Sequence, residues 1–251
     1  MELPKTTGGL TTITSARTTI TTAPPTAPTG APTTATAVDL VILPPCKAKI
    51  DLGFIMDSSG SLRHEYHKEK DFVKTLAKSF NISPDGSRAG VVTFSLRAKH
   101  SIRMKDHTDI TSLEAAIDDI PLMGMTTRID RALRLAQKEL FAAENGGRPE
   151  LHHQVLILLT DGTQTKSAHA ERPEDITDEL RKSGIIVIVI GVGHGIHLKE
   201  LDLMAGGAGK AHTAKSFDEL IGSDFVNKIG KESCGKGKIN ALLKEINGRT
   251  L

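Results

Sequence analysis

Ile50-Asp51-Leu52-Gly53-Phe54-Ile55-Met56 runs without a break into Asp57-Ser58-Ser59-Gly60-Ser61. The first seven residues read as a buried strand, and the strand ends in a carboxylate followed by hydroxyls two residues apart on a turn that contains Gly60. Each of these side chains offers a hard oxygen, and none offers sulfur or imidazole. Oxygen donors with a single charge among them suit a divalent cation such as Mg²⁺, which keeps some of its own waters. A polar turn after a strand has the same composition, because Ser and Asp are common turn residues. Two distant segments separate these readings.

One is Val155-Leu156-Ile157-Leu158-Leu159-Thr160-Asp161-Gly162, which repeats the pattern of an apolar run, then Asp, then Gly. The other is Gly124-Met125-Thr126-Thr127-Arg128-Ile129-Asp130-Arg131-Ala132-Leu133, a polar loop that runs into a helical pattern. In an open parallel sheet, ligands sit outside the carboxyl ends of the strands. Two strands that both end in Asp therefore bring two carboxylates to one rim.

The rest of the pattern supports such a sheet. Apolar spacing predicts helices over 64–80, 109–120, 128–143, 173–182, 198–204 and 217–229, with Thr108 or Asp109 capping the second. Strands are expected at 88–95, its hairpin partner 98–104, 155–159, 185–190 and 210–213. The runs Val155 to Leu159 and Ile185 to Ile190 are continuously apolar, as central parallel strands buried on both faces are. Strand and helix alternate, so the fold class is α/β: a doubly wound, mostly parallel central sheet with helices on both faces.

With these motifs in order, the chain resembles the von Willebrand factor type A domain family. The resemblance covers roughly Cys46 to Cys234. Asp57, Ser59 and Ser61 match the family's D-x-S-x-S motif, Thr127 its distant Thr, and Asp161 its distant Asp before Gly. Ala132-Leu133 sets the register that selects Thr127 over Thr126. Ile129 and Asp130 stand where the family pattern has a second Thr and a Gly. The resemblance implies a metal-ion-dependent adhesion site, with Asp57 and Asp161 anchoring Mg²⁺ or Mn²⁺ and the three hydroxyls as neutral donors. It implies that an open metal position accepts an Asp or Glu from an extracellular matrix protein, collagens being usual partners. A metal-independent structural role, including one in the organic matrix of mineralised tissue, is the alternative within the family.

Enzyme readings are weaker. A haloacid-dehalogenase-type phosphotransferase places a general acid two residues after its Asp, where this chain has Ser59. A hydrolase nucleophile at Ser59 lacks the G-x-S-x-G frame. Gly191-Val192-Gly193-His194-Gly195 lacks the third Gly of a dinucleotide loop. His64, His67, His152, His153, His194 and His197 have no Cys or Glu at zinc-ligand spacing and read as solvated side chains.

Composition bounds the rest. The 251 residues carry a net charge of +2, which makes no electrostatic case for nucleic acid or membrane. Residues 1 to 38 hold fourteen Thr and five Pro with few large apolar side chains, so 1–45 is expected to be a disordered, mucin-like stalk or linker. The folded domain is expected over 46–234, and 235–251 as a basic tail. Met1-Glu2-Leu3-Pro4 lacks the basic start and apolar core of a secretion signal, which suggests a fragment. No apolar stretch reaches membrane-spanning length, so no direct membrane insertion is expected. Cys46 and Cys234, the only cysteines, bracket the domain in polar contexts. Two buried thiols are one reading. A disulfide is the other; domain ends often lie close together, and the family's extracellular members commonly carry such a bridge. It places the protein in an oxidising compartment, secreted and in the extracellular matrix. Asn81-Ile82-Ser83 is a glycosylation sequon weakened by the following Pro84.

Overall fold

The computed structural model describes residues 48–150 and 153–234. The expected stalk over 1–45, the tail over 235–251, Cys46 and His152 lie outside the described residues. Six strands form one sheet: β1 (Ile50–Asp57), β2 (Arg88–Phe94), β3 (Ala98–Ile102), β4 (His153–Thr160), β5 (Ile186–Val192) and β6 (His212–Ala214). Their order is β3-β2-β1-β4-β5-β6. All neighbours are parallel except β2 and β3, which form the expected hairpin.

Between the strands lie α1 (Tyr66–Lys78), α2 (Ile110–Asp118), α3 (Ile129–Leu135), α4 (Pro173–Lys182), α5 (Leu198–Ala205) and the single turn α6 (Phe217–Leu220). A last helical segment, α7, occupies 223–234. Strand side chains alternate between the two faces of the sheet. Leu52, Phe54, Ile157 and Ile188 meet Phe72 and Leu76 of α1, Leu113 and Ile117 of α2, and Ile229 of α7 on one face. Ile55, Leu156, Leu158 and Val189 meet Leu133 of α3, Ile176 and Leu180 of α4, and Leu201 of α5 on the other. Burial on both faces is why β1, β4 and β5 need continuous apolar runs.

The strand order also fixes where a ligand site forms. After β1 the chain crosses through α1 to β2 on one side, whereas after β4 it crosses through α4 to β5 on the other. The segments leaving β1 and β4 therefore diverge, opening a crevice at the carboxyl ends of two adjacent strands.

Three expected elements differ in detail. The helix expected over 128–143 becomes α3 followed by a widened π turn at Ala136–Leu140. That turn lowers Leu140 onto Gly53 of β1 and Gly90 of β2, which are paired in register. A Cβ on Gly53 would stand 2.6 Å from Leu140, and one on Gly90 would stand 2.9 Å from it. Only glycine permits this approach. The helix expected over 217–229 is broken at Ile221-Gly222. Ser216 accepts from the Glu219 N–H to cap the first piece. The Gly222 carbonyl then accepts from Phe225 and Val226 at 3.1 and 3.2 Å to start the second. The segment expected to begin a helix at His64 instead opens with a 3₁₀ turn over Gly60–His64.

Candidate metal centre

Asp57 is the last residue of β1 and is fully buried. Its Oδ1 accepts the Ser59 N–H at 2.9 Å, which curls the chain back over the strand end. Its Oδ2 accepts the Thr160 hydroxyl at 2.7 Å, so the end of β4 orients the carboxylate at the end of β1. The Ser59 and Ser61 hydroxyls lie 3.0 Å apart, and the Ser61 hydroxyl donates to Asp161 Oδ1, also at 3.0 Å. Four of the five residues expected to hold a cation are thus linked by direct hydrogen bonds or by one intervening group.

Thr127 arrives from a third loop. The Gly124 N–H donates to the Ser58 carbonyl at 2.8 Å, and the Gly60 N–H donates to the Met125 carbonyl at 3.0 Å. The Met123 N–H donates to the Ser58 hydroxyl at 2.7 Å. Gly124 and Met125 both take left-handed backbone, with φ of 73° and 71°. That conformation is unfavourable for Met125 and is held by the bond to Gly60. Thr127 follows this reversal. Its carbonyl accepts the Thr165 N–H at 2.8 Å, and its Oγ1 lies 3.8 Å from where a Cβ on Gly162 would stand. The Thr127 hydroxyl therefore faces the turn that carries Asp161, and Gly162 leaves the space open. Thr126 is exposed.

The charges are unbalanced. Asp57, Asp161 and the fully buried Glu69 of α1 form no ion pair with Lys, Arg or His among the described residues. Burial, opposed by the Ser59 and Thr160 hydrogen bonds and aided by the nearby Asp161 charge, raises the Asp57 pKa from its ordinary 3.8 to about 6. Burial likewise raises Asp161, and it raises Glu69 well above the usual carboxylate range. Glu69 Oε1 accepts the Asp57 N–H at 3.0 Å, while its Oε2 is buried without a partner. A protonated Glu69 adds no charge to this region. Converging hydroxyls and two carboxylates with no cationic side chain form a site that a hard divalent cation fits and a soft metal does not. No group of three or more His, Cys, Asp and Glu placed to hold a metal occurs among the described residues. His64, His67, His194 and His197 are exposed.

These shifts make a testable prediction. Asp57 and Glu69 bind protons more tightly in the folded state than in the unfolded chain. In chelator, stability should therefore fall as pH rises from about 3 to about 7, by about 3 kcal/mol for Asp57 alone. Glu69→Gln keeps the shape of the protonated acid. It should match the wild type at about pH 4 and below, and it should lose less stability as pH rises. Urea melts across this range check both. A wild type that becomes more stable towards neutral pH in chelator would contradict the burial argument.

Sequence reasoning did not single out Ser58, Glu69, Thr160, Gln164 or Thr165. Thr160 had a usable signal, because it ends an apolar strand directly before Asp161. Glu69 had none, since a glutamate in the first turns of a helix reads as solvated. Of the other expected sites, Asn81 is exposed in the loop between α1 and β2, at the edge opposite the cluster. No free cysteine occurs among the described residues, and Cys234 closes α7.

Residues 51–226 match the model of the von Willebrand factor type A domain. The chain is 32% identical over 199 residues to the human collagen alpha-6(VI) chain, covering 75% of this chain and 8% of that one. It is 26% identical over 196 residues to human matrilin-4, covering 75% of this chain and 30% of that protein. The chain thus spans less than a third of these relatives. Among solved structures it is similar to proximal thread matrix protein 1 of the mussel byssus. The TM-score is 0.70 at 28% identity, over 76% of this chain and 49% of that one. A further structure of that protein, with a zinc-occupied MIDAS motif, superposes with a TM-score of 0.69 at 28% identity, over the same shares of the two chains. The relatives are extracellular matrix proteins, in accord with the localisation read from sequence. No helix among the described residues is long and apolar enough to cross a membrane.

Proposed function

Since the chain belongs to the von Willebrand factor type A domain family, we propose that it is an extracellular adhesion module. It holds Mg²⁺ or Mn²⁺ at Asp57, Ser59, Ser61, Thr127 and Asp161, and it binds a matrix protein, collagens included, through an Asp or Glu of that partner. The observation that supports this reading is the convergence, from three loops, of three hydroxyls and two carboxylates that lack a cationic partner among the described residues. When bound, the cation supplies an electrophilic centre with a position open to the partner's carboxylate. The chain supplies the rest. Thr160 and the Ser59 N–H orient Asp57, Ser61 ties the first loop to Asp161, and the Ser58–Met125 zipper sets the height of Thr127. Only two ionised carboxylates face the ion, so its affinity for a third is retained. The reading predicts binding without turnover.

A ligand that binds only the folded state stabilises it by about 2.7 kcal/mol at one hundred times its dissociation constant. Millimolar Mg²⁺ should raise the melting temperature, and Asp161→Ala should abolish the shift. Binding to a matrix array should vanish in EDTA and return with Mg²⁺ or Mn²⁺. Thr127→Ala should weaken binding more than folding, because Thr127 lies on a rim loop. No melting shift at millimolar metal would sink the metal site. Adhesion that is indifferent to chelator would leave the metal-independent structural role, including one in mineralised tissue.

The proposed domain spans 46–234, closed by a Cys46–Cys234 disulfide, with 1–45 as a stalk and 235–251 as a basic tail. Asn81, exposed beside its hydroxyl-bearing Ser83, is the proposed glycan acceptor.

A further inference from the structure

Thr127 is the one member of the oxygen cluster that does not follow directly from a strand end, so its position depends on what grips its loop. Thr165, in the loop after β4, holds both of its backbone groups. The Thr127 N–H donates to Thr165 Oγ1 at 3.2 Å, and the Thr127 carbonyl accepts the Thr165 N–H at 2.8 Å. One residue thus closes a ring of two hydrogen bonds on Thr127. Among the described residues no hydrogen bond occupies the Thr127 hydroxyl, which stays available to the centre.

Thr165 is held in turn from outside the centre. The N–H of its neighbour Gln164 donates to Glu200 Oε1, on α5, at 2.9 Å. Gln164 Oε1 accepts the Asp130 N–H at 3.3 Å, which ties the same residue to α3. Glu200 is half-buried, and among the described residues its carboxylate makes no ion pair and only this hydrogen bond. An acid in the first turn of a helix complements the helix dipole wherever its oxygens point. Here one oxygen is committed to the backbone of another loop. Just before α5, Gly195 packs so closely that a Cβ there would stand 2.7 Å from the Asp161 carbonyl oxygen. The segment after β5 therefore backs two members of the cluster. It reaches Asp161 by direct contact, and Thr127 through Glu200, Gln164 and Thr165.

We propose that Glu200 and Thr165 are positioning residues for the metal centre, forming a latch from α5 that fixes the Thr127 hydroxyl where the cation needs it. The proposal rests on reading the oxygen cluster as a metal site. Neither residue is a ligand; both act through Thr127. Ordering a loop at the moment of binding costs conformational entropy, so a latch that has already ordered it raises affinity. Removing a partner that orients a metal ligand typically weakens metal binding by about 10- to 100-fold.

Mn²⁺ binding to the full chain, read from the EPR signal of free Mn²⁺, tests the latch. Thr165→Val keeps the shape of the side chain and removes the acceptor, and it should weaken Mn²⁺ binding about tenfold. Thr165→Ser restores the hydroxyl and should bind like the wild type. Glu200→Ala should also weaken binding about tenfold. Glu200→Gln keeps an oxygen for the Gln164 N–H and should bind like the wild type. A Gln variant as weak as the Ala variant would mean that the charge of Glu200 draws the ion, and it would overturn the latch. Because both residues act along one chain of contacts, the double variant Thr165→Val, Glu200→Ala should lose about tenfold and not about a hundredfold. Losses that multiply, or single variants that bind like the wild type, would equally overturn it. Urea midpoints in EDTA separate binding from folding. They should stay near the wild type, and a loss of Mn²⁺ affinity matched by a loss of fold would make the contacts merely structural. A wild type that binds no Mn²⁺ is a different result, which removes the metal reading itself.

Discussion

Asp130→Ala should destabilise the domain by about 3 to 5 kcal/mol, because it leaves Arg128 charged, buried and unpaired. Arg128 and Asp130 are 4% and 3% exposed. Their side chains form a two-pronged pair, with Nε to Oδ1 at 2.8 Å and Nη2 to Oδ2 at 2.6 Å. The pairing depresses the Asp130 carboxyl to about 2 despite its burial. Asp130 also fastens the loop after β4: its Oδ2 accepts the Glu171 N–H at 3.2 Å, and its own N–H donates to Gln164 Oε1 at 3.3 Å. Removing the carboxylate releases that loop and the start of α3 together, two residues beyond Thr127. Metal affinity should therefore fall along with stability. A double variant, Arg128→Met with Asp130→Leu, should recover much of the lost stability, since two apolar side chains often replace a buried pair at little cost. Urea denaturation of the three variants decides the matter. A loss below about 1 kcal/mol for Asp130→Ala would mean that Arg128 finds water or another partner.

Cys234→Ser should cost on the order of 5 kcal/mol in the chain-entropy picture, since the proposed bridge to Cys46 closes almost the whole domain. Measured losses for native disulfides commonly fall between about 2 and 5 kcal/mol. Cys234 closes α7, whose Val226 and Ile229 pack onto the sheet and whose Ser233 is fully buried, so the bridge would clamp a helix that already contributes to the core. A loss of that size should lower the melting temperature of a domain this large by about 10 °C. The melting curve with and without reductant measures the effect, and non-reducing peptide mapping tests the pairing. Two free thiols in protein secreted from eukaryotic cells would remove the claim.

Much of the fold was legible because its signals are local. Strand burial on two faces demands continuous apolar runs, and the runs at Val155 and Ile185 are of strand length. The cap of α2 was legible to within a residue, Thr108 or Asp109, for the same reason, and it is Asp109 whose carboxylate accepts the Ser112 N–H three residues on. The oxygen cluster was legible because each part sits at a strand end or helix start that the local pattern reveals. The break at Gly222 and the π turn before Phe141 were not. Helical periodicity continues through both, and at the π turn what interrupts it is a contact made by distant chain. Leu140 settles on Gly53, which is 87 residues away in sequence, and no window of neighbouring residues contains that fact.

Asp130 shows the same division at a functional position. By sequence it is a departure from a family pattern, set in the first turn of an expected helix. In the folded chain it is the anchor that joins α3 to the loop after β4. The sequence by itself determined the α/β class, the family, and the five oxygen side chains, because residue type and strand-end position are properties of short segments. The tertiary structure alone decided that Glu69 is buried beneath Asp57, that Thr160 aims the Asp57 carboxylate, and that Arg128 and Asp130 neutralise each other away from water. Each of these depends on which groups lose their solvent when distant segments pack. The energy of a charge is set by that loss, so it becomes readable only once the chain has closed around it.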